Sequence, residues 1–305
     1  MRRAAIVAPV RTPIGTFGGS LRPLSAADLA TAVVRAVVQR SGVDPDQIED
    51  VVFAQSYANS EAPCIGRWAA LNAGLPVDVP GLQIDRRCGG GLQAVVTAAM
   101  MVQSGAADVV ITGGVESMSN IEHYTTGVRW GSRSGAVTLH DRLDRGRERS
   151  QPLERFGEIS GMVETAENLA SRFGISREDA DEFAARSHQR AAAARDAGAF
   201  AEELVALLVP QRRSEPVTVD QDEGIRPDTT VDRLARLAPV MPGGTVTAGK
   251  RQPAKRCSRR VSGCRRAPAG GIGPVADGLP GRLGRRRLRP SHHGSGASSR
   301  GAQAV

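Results

Sequence analysis

Apolar and polar positions repeat along the first 119 residues with two different periods. Residues 4–8 form a short apolar run that predicts a buried strand, and a polar, glycine-containing loop follows at 11–19. From Ser25 the period lengthens: Leu29, Ala32, Val33, Ala36 and Val37 recur on one helical face. Ser25 with Asp28 has the form of a capping box, and Gly42 supplies the stop. Residues 50–55 predict a buried strand, 64–73 a helix closed by Gly74, and 81–84 a strand. Residues 92–104 predict an Ala/Val/Met helix and 108–112 a further strand. Strand and helix alternate throughout, which predicts an α/β fold built as a layered sheet.

The pattern changes after Ser119. Residues 120–155 are polar, rich in Arg and Asp, and weakly periodic. Helical spacing returns at 160–173 and 176–197, the second opened by a cap at Ser176 with Asp179. Residues 214–236 are acidic and turn-rich, and Thr245-Val246-Thr247-Ala248-Gly249 ends the organised part. The expected division is an α/β domain at 1–119, an inserted loop or lid domain at 120–249, and a tail at 250–305.

Charge separates that tail from the rest. The whole chain of 305 residues carries a net charge of +8 and a pI near 10.2, a balance that points towards nucleic acid. Residues 250–305, however, hold 14 Lys and Arg against one acid, Asp277, whereas the preceding residues are mildly acidic. The tail has no aromatic residue and no sustained period, so it is expected to be disordered. The basic overall charge therefore says nothing about the globular part. No apolar run is long enough for a membrane span, and the N-terminal apolar stretch is too short for a signal peptide. Four cysteines without framework spacing predict a reducing, cytoplasmic setting, and Cys257 and Cys264 lack the paired spacing of a zinc site. No metal site is expected.

The candidate chemistry lies at Arg86-Arg87-Cys88-Gly89-Gly90-Gly91-Leu92-Gln93-Ala94. A thiol stands where a strand turns into a helix. Helix N-termini carry partial positive charge and free N–H groups, which favour thiolates. The glycines allow a tight turn and a close approach by a bulky thioester. Taken alone, this nonapeptide is equally a glycine-rich turn around a buried structural cysteine. Cys64 reads as a core residue, and His123, His140 and His188 fit no motif.

An ordered series of motifs resembles the thiolase family, the acetyl-CoA acetyltransferases and 3-ketoacyl-CoA thiolases. Arg11-Thr12-Pro13-Ile14-Gly15 resembles the start of those proteins. Arg87-Cys88-Gly89-Gly90-Gly91-Leu92-Gln93-Ala94 resembles their acyl-enzyme cysteine motif, with Gly90 where Ser is commoner. Gly113-Gly114-Val115-Glu116-Ser117-Met118-Ser119 resembles the strand end that follows it. Gly161-Met162 with Thr165-Ala166-Glu167-Asn168 resembles the loop-domain helix beside the substrate. Arg226-Pro227-Asp228-Thr229-Thr230 and Thr245-Val246-Thr247-Ala248-Gly249 resemble two later blocks.

The resemblance implies a thiolase-like αβα domain with an inserted loop domain, and the C-terminal thiolase domain missing. It implies Cys88 as the nucleophile that holds an acyl group as a thioester. It places Met162 against the acyl and pantetheine region, Arg226 at the CoA phosphate end, and Ala248 along the pantetheine path. Acyl-CoA and CoA are then substrates, with no permanently bound cofactor, in fatty acid metabolism such as β-oxidation. Chain length and biosynthetic or degradative direction stay open. Members of the family are homo-oligomers. A related condensing enzyme, such as a ketosynthase or a sterol-carrier-type thiolase, fits the blocks after Gly113 less well.

The resemblance stops at Gly249. The family continues with Asn-Ala-Ser, a polar-to-alanine helix and a buried strand, whereas this chain reads Lys250-Arg251-Gln252-Pro253-Ala254-Lys255-Arg256. A Gly-His-Pro motif that activates the thiol, a second cysteine in Cys-x-Gly-Gly-Gly, and an Asn-Glu-Ala-Phe motif are all lacking. His292-His293 is followed by Gly294. Codons for 250–266 exist that, read one base later, encode SASQQNDAAAACLVVA, the expected thiolase continuation. A frameshift after Gly249 accounts for the tail. It predicts an unfinished sheet and impaired turnover, and leaves as the alternative a remnant whose basic tail binds nucleic acid or acidic surfaces.

Overall fold

The computed structural model describes residues 2–157 and 161–249, together with the backbone of 255–266. Residues up to Ala267 form one compact unit. In chain order its elements begin with β1 (Ala4–Val10), β2 (Gly15–Thr16), α1 (Ala26–Ser41), β3 (Asp50–Ala54), α2 (Ile65–Ala73) and β4 (Gly81–Ile84). They continue with α3 (Gly90–Ser104), β5 (Val109–Glu116), β6 (His123–Tyr124), β7 (His140–Asp141), α4 (Arg142–Glu148) and α5 (Leu153–Phe156). Last come α6 (Met162–Phe173), α7 (Arg177–Asp196), β8 (Leu207–Val209), β9 (Val217–Val219), α8 (Val231–Ala235) and β10 (Lys255–Arg266).

The main sheet runs β1-β10-β5-β3-β4. β3 is parallel to both β4 and β5, and β10 is antiparallel to β1 and β5. Side chains on β3 leave the sheet alternately on its two sides. Val51 and Phe53 pack with Leu29, Val33, Val37, Ile65 and Ala69 of α1 and α2. Val52 and Ala54 pack with Ala94, Ala98 and Val102 of α3. Both faces are thus covered by helices, which is why this strand reads as a continuous apolar run rather than an alternating one. The result is three layers, helix on sheet on helix. Both capping boxes form: Ser25 Oγ accepts from Asp28 N at 3.1 Å, and Ser176 Oγ accepts from Asp179 N at 3.0 Å.

Within the stretch 250–305, expected to be a disordered tail that leaves the sheet unfinished, residues 255–266 form β10, pairing Ala4 with Arg266 on one side and Glu116 with Cys257 on the other. The physical reason lies in the main chain. An open slot between β1 and β5 presents unpaired N–H and C=O groups, and any extended segment supplies matching ones whatever its side chains. The remainder of the tail, 267–305, lies outside the described residues, as do residues 158–160 at the expected start of α6.

Candidate active site

Cys88 sits in a single helical turn, Arg87–Gly89, between the end of β4 and the start of α3. Its side chain is exposed, so the thiol is not buried among the described residues. Two features hold the turn in place. Gly90 is buried, and a Cβ added there would stand 2.8 Å from the Cβ of Ala54 on β3, so the first helical residue lies hard against the sheet. Arg87 adopts a left-handed conformation with φ of +46°, uncommon for a residue with a side chain. Its N–H donates to Asp85 Oδ1 at 2.8 Å, its Nη1 donates to the carbonyl of Ser56 at 3.0 Å, and its guanidinium carbon lies 5.5 Å from the centre of the Tyr57 ring.

Glu116, at the end of β5, was part of a quoted motif without a role of its own. Its Oε2 accepts the N–H groups of Ser56 at 2.9 Å and Tyr57 at 3.1 Å. Burial pushes its carboxyl up to about 7, and the Asp85 charge adds to the rise. The Ser56 and Tyr57 hydrogen bonds and the Arg142 charge oppose it without cancelling it.

Of the residues expected to meet CoA, Arg226 lines a cleft apart from Cys88, and Met162 and Ala248 are not among its lining residues. A cavity of about 730 Å³ is lined in part by Ala166 and Leu169 of α6, Phe183 and His188 of α7, Arg226 and Gly249. Arg226 is exposed, and its backbone N–H donates to His188 Nδ1 at 3.3 Å. Ala248 is exposed beside Gly249. Met162 is 76% exposed at the start of α6, one turn before Ala166 on the same face. Cys88 is not among the residues lining this cleft. Beside the cleft, the Glu167 carboxylate accepts from Thr245 N and Val246 N, two residues of its lining, at 2.9 and 2.7 Å. That contact joins two of the motif blocks, and His188, which fitted no motif, lines the cleft. His188 carried no local signal, because its partner lies 38 residues away. His123 and His140 lie in the β6–β7 ladder, with the His140 ring 5.8 Å from that of Tyr124.

Cys64 is not a plain core residue. It is half-buried at the N-terminus of α2 with φ of +51°, and its thiol donates to the carbonyl of Gly81 at 3.1 Å. Among the described residues, no cluster of His, Cys, Asp and Glu is placed to hold a metal, and no helix is long and apolar enough to cross a membrane.

Comparison with known proteins bears on this arrangement. The thiolase N-terminal domain matches residues 4–254. An acetyl-CoA acetyltransferase of Chromobacterium violaceum is 42% identical over 246 residues, covering 80% of this chain and 62% of that protein. A β-ketoadipyl-CoA thiolase of Acinetobacter baylyi is 40% identical over 252 residues, covering 82% and 63%. The crystal structure of the Bacillus anthracis acetyl-CoA acetyltransferase superposes with a TM-score of 0.80 at 37% identity, covering 87% of this chain and 66% of that one. The chain thus spans less than two thirds of the length of these relatives. The chain therefore belongs to the thiolase family, whose N-terminal domain it carries.

Proposed function

We propose that this chain is the acyl-accepting part of a thiolase-type acyltransferase, with Cys88 as the nucleophile. The observation that carries the reading is the exposed Cys88 thiol, presented at a helix entrance within the family's matched span. In the proposed step the Cys88 thiolate attacks the carbonyl carbon of an acyl-CoA thioester. A new C–S bond forms, the bond to the CoA sulfur breaks, and CoA leaves as a thiolate that takes up a proton. Met162, Arg226 and Ala248 contact the acyl, phosphate and pantetheine portions of the same substrate.

Full activation of the Cys88 thiol needs a base, and the second half-reaction needs an acid/base for carbon–carbon chemistry. The 305 residues hold neither the Gly-His-Pro nor the Cys-x-Gly-Gly-Gly motif. Loss of a general base lowers rates about 100-fold to 10,000-fold. Turnover by this polypeptide is therefore impaired, and acylation of Cys88 is the step it retains. The frameshift after Gly249 explains the missing motifs, and the DNA around codon 249 tests it directly. For the chemistry, the protein is incubated with acetyl-CoA and the Cys88 peptide is weighed by mass spectrometry. A gain of one acetyl group on Cys88, absent in Cys88→Ala, supports the reading. No adduct, together with no CoA-dependent change in melting temperature, refutes it.

A further inference from the structure

We propose that Glu116 is a positioning residue for Cys88, acting through the backbone of Ser56 and Tyr57 and the side chain of Arg87. The inference rests on the reading of Cys88 as the reactive thiol. Three chain segments leave the parallel strands at the same edge of the sheet: Ser56 and Tyr57 after β3, residues 85–87 after β4, and Glu116 at the end of β5. Glu116 is the anchor. Its Oε2 takes both N–H groups of the Ser56–Tyr57 pair. That pair in turn holds Arg87, by the Ser56 carbonyl and by the Tyr57 ring. Arg87 is the left-handed residue immediately before Cys88. Such a conformation persists only where its surroundings enforce it. Without the Glu116 carboxylate the two N–H groups lose their acceptor, the Ser56–Tyr57 pair shifts, and the support under Arg87 goes with it.

Asp85 faces Glu116 from the end of β4, and Arg142 from α4, where Arg142 also pairs with Glu122. Tyr57 lies on the loop it holds, and Cys257 stands opposite it in the β10 ladder. An ionised Glu116 makes charge-assisted hydrogen bonds to Ser56 and Tyr57, and a neutral one makes weaker ones. The grip on the Cys88 turn therefore tightens as Glu116 ionises.

The test measures iodoacetamide alkylation of Cys88 in the full chain, by peptide mass spectrometry at pH 6, 7 and 8. Glu116→Gln keeps an acceptor that never ionises. The ratio of wild-type to E116Q rate is expected to rise from near unity at pH 6 to clearly above unity at pH 8, because charge-assisted hydrogen bonds are stronger than neutral ones. Glu116→Ala is expected to slow alkylation about tenfold, since small displacements of a reacting group are costly. A wild-type to E116Q ratio that stays flat from pH 6 to 8 overturns the proposal. Should E116A fail to fold, a cycle with Arg87→Ala decides: E116Q has no further effect in that background if the route is through Arg87, and an undiminished effect overturns it. Alkylation needs no acyl-CoA. A chain that alkylates as expected yet forms no acyl adduct refutes the proposed acyltransfer while leaving this inference standing.

Discussion

Arg11 and Asp222 form a forked ion pair across 211 residues of chain, with Nη1 to Oδ1 at 2.7 Å and Nη2 to Oδ2 at 3.1 Å. Glu203 takes the remaining edge of the guanidinium through Nε at 2.7 Å, and Phe200 lies under it at 5.2 Å. Burial works against the Arg11 charge, but the two carboxylates outweigh it and hold the guanidinium firmly ionised. The same Asp222 accepts the N–H of Ile14, and its neighbour Glu223 accepts from Thr16 and Ser20. The motif at the start of the chain is thus a clamp on the acidic segment beyond residue 214. Breaking one partner of a buried pair costs about 3–5 kcal/mol. Asp222→Ala is expected to lose stability of that order in urea denaturation at neutral pH. Asp228→Ala, which removes an exposed partner of Arg233, is expected to change stability by less than about 1 kcal/mol.

Glu116 links stability to pH with an unusual sign. Its carboxyl is raised from 4.5 to about 7 in the folded protein. Between those values the folded state holds a proton that the unfolded chain has released, so stability falls as pH rises. The stabilisation is fully present below the unfolded value and is lost once pH passes the folded one. By linkage the loss is about 3 kcal/mol. Glu116→Gln has no proton to lose, so its stability relative to the wild type is expected to improve by about that amount between pH 4.5 and pH 8. Denaturation curves at several pH values read this directly. The gain in stability accompanies the loss of Cys88 reactivity inferred above, as expected where a strained group serves a site rather than the fold.

Position 90 has no room for a side chain. With Ala54 opposite, a Cβ at 2.8 Å forces something to move. Gly90→Ser is expected to cost about 1–3 kcal/mol by overpacking. Ala54→Gly is expected to restore most of it in the double variant, measured as a shift in melting temperature.

The outer face of α3 carries Leu92, Val96 and Met100 at successive turns, 72%, 43% and 61% exposed. An apolar stripe of this kind on a helix calls for a covering layer. The chain alone is expected to bind a hydrophobic dye and to self-associate as concentration rises. The double variant Leu92→Lys, Met100→Lys is expected to reduce both, read by dye fluorescence and light scattering, and to leave the α3 core residues Ala94, Ala98 and Val102 packed.

The legible parts of this chain were the local ones. Ser25 with Asp28, and Ser176 with Asp179, announce helix starts because both partners lie within one turn. Val51 to Ala54 announces a doubly covered strand because burial on both faces removes the polar positions. Cys88 was legible as a thiol at a helix entrance, and the motif series told its family. What was hidden depends on distance along the chain. Glu116 finds Ser56 across 60 residues, and Glu167 finds Thr245 across 78. No periodicity encodes either contact. Residues 255–266 were hidden for another reason: their charge pattern argues for a solvated tail, whereas a ladder is made by the main chain.

Among the described residues, β1 has a single neighbour in the main sheet, and that neighbour is β10. During synthesis β1 therefore gains its ladder partner only when residues 261–266 have emerged, since Ala4 pairs with Arg266 and Val10 with Val261. Contacts so far apart in sequence form late and slowly. During synthesis β3, β4 and β5 are available to each other long before β1 is, and an open edge of β5 faces the growing chain in the interval. A ribosome stalled short of Lys255 would hold a protein whose sheet is built from the middle outward, with its N-terminal strand still without a seat.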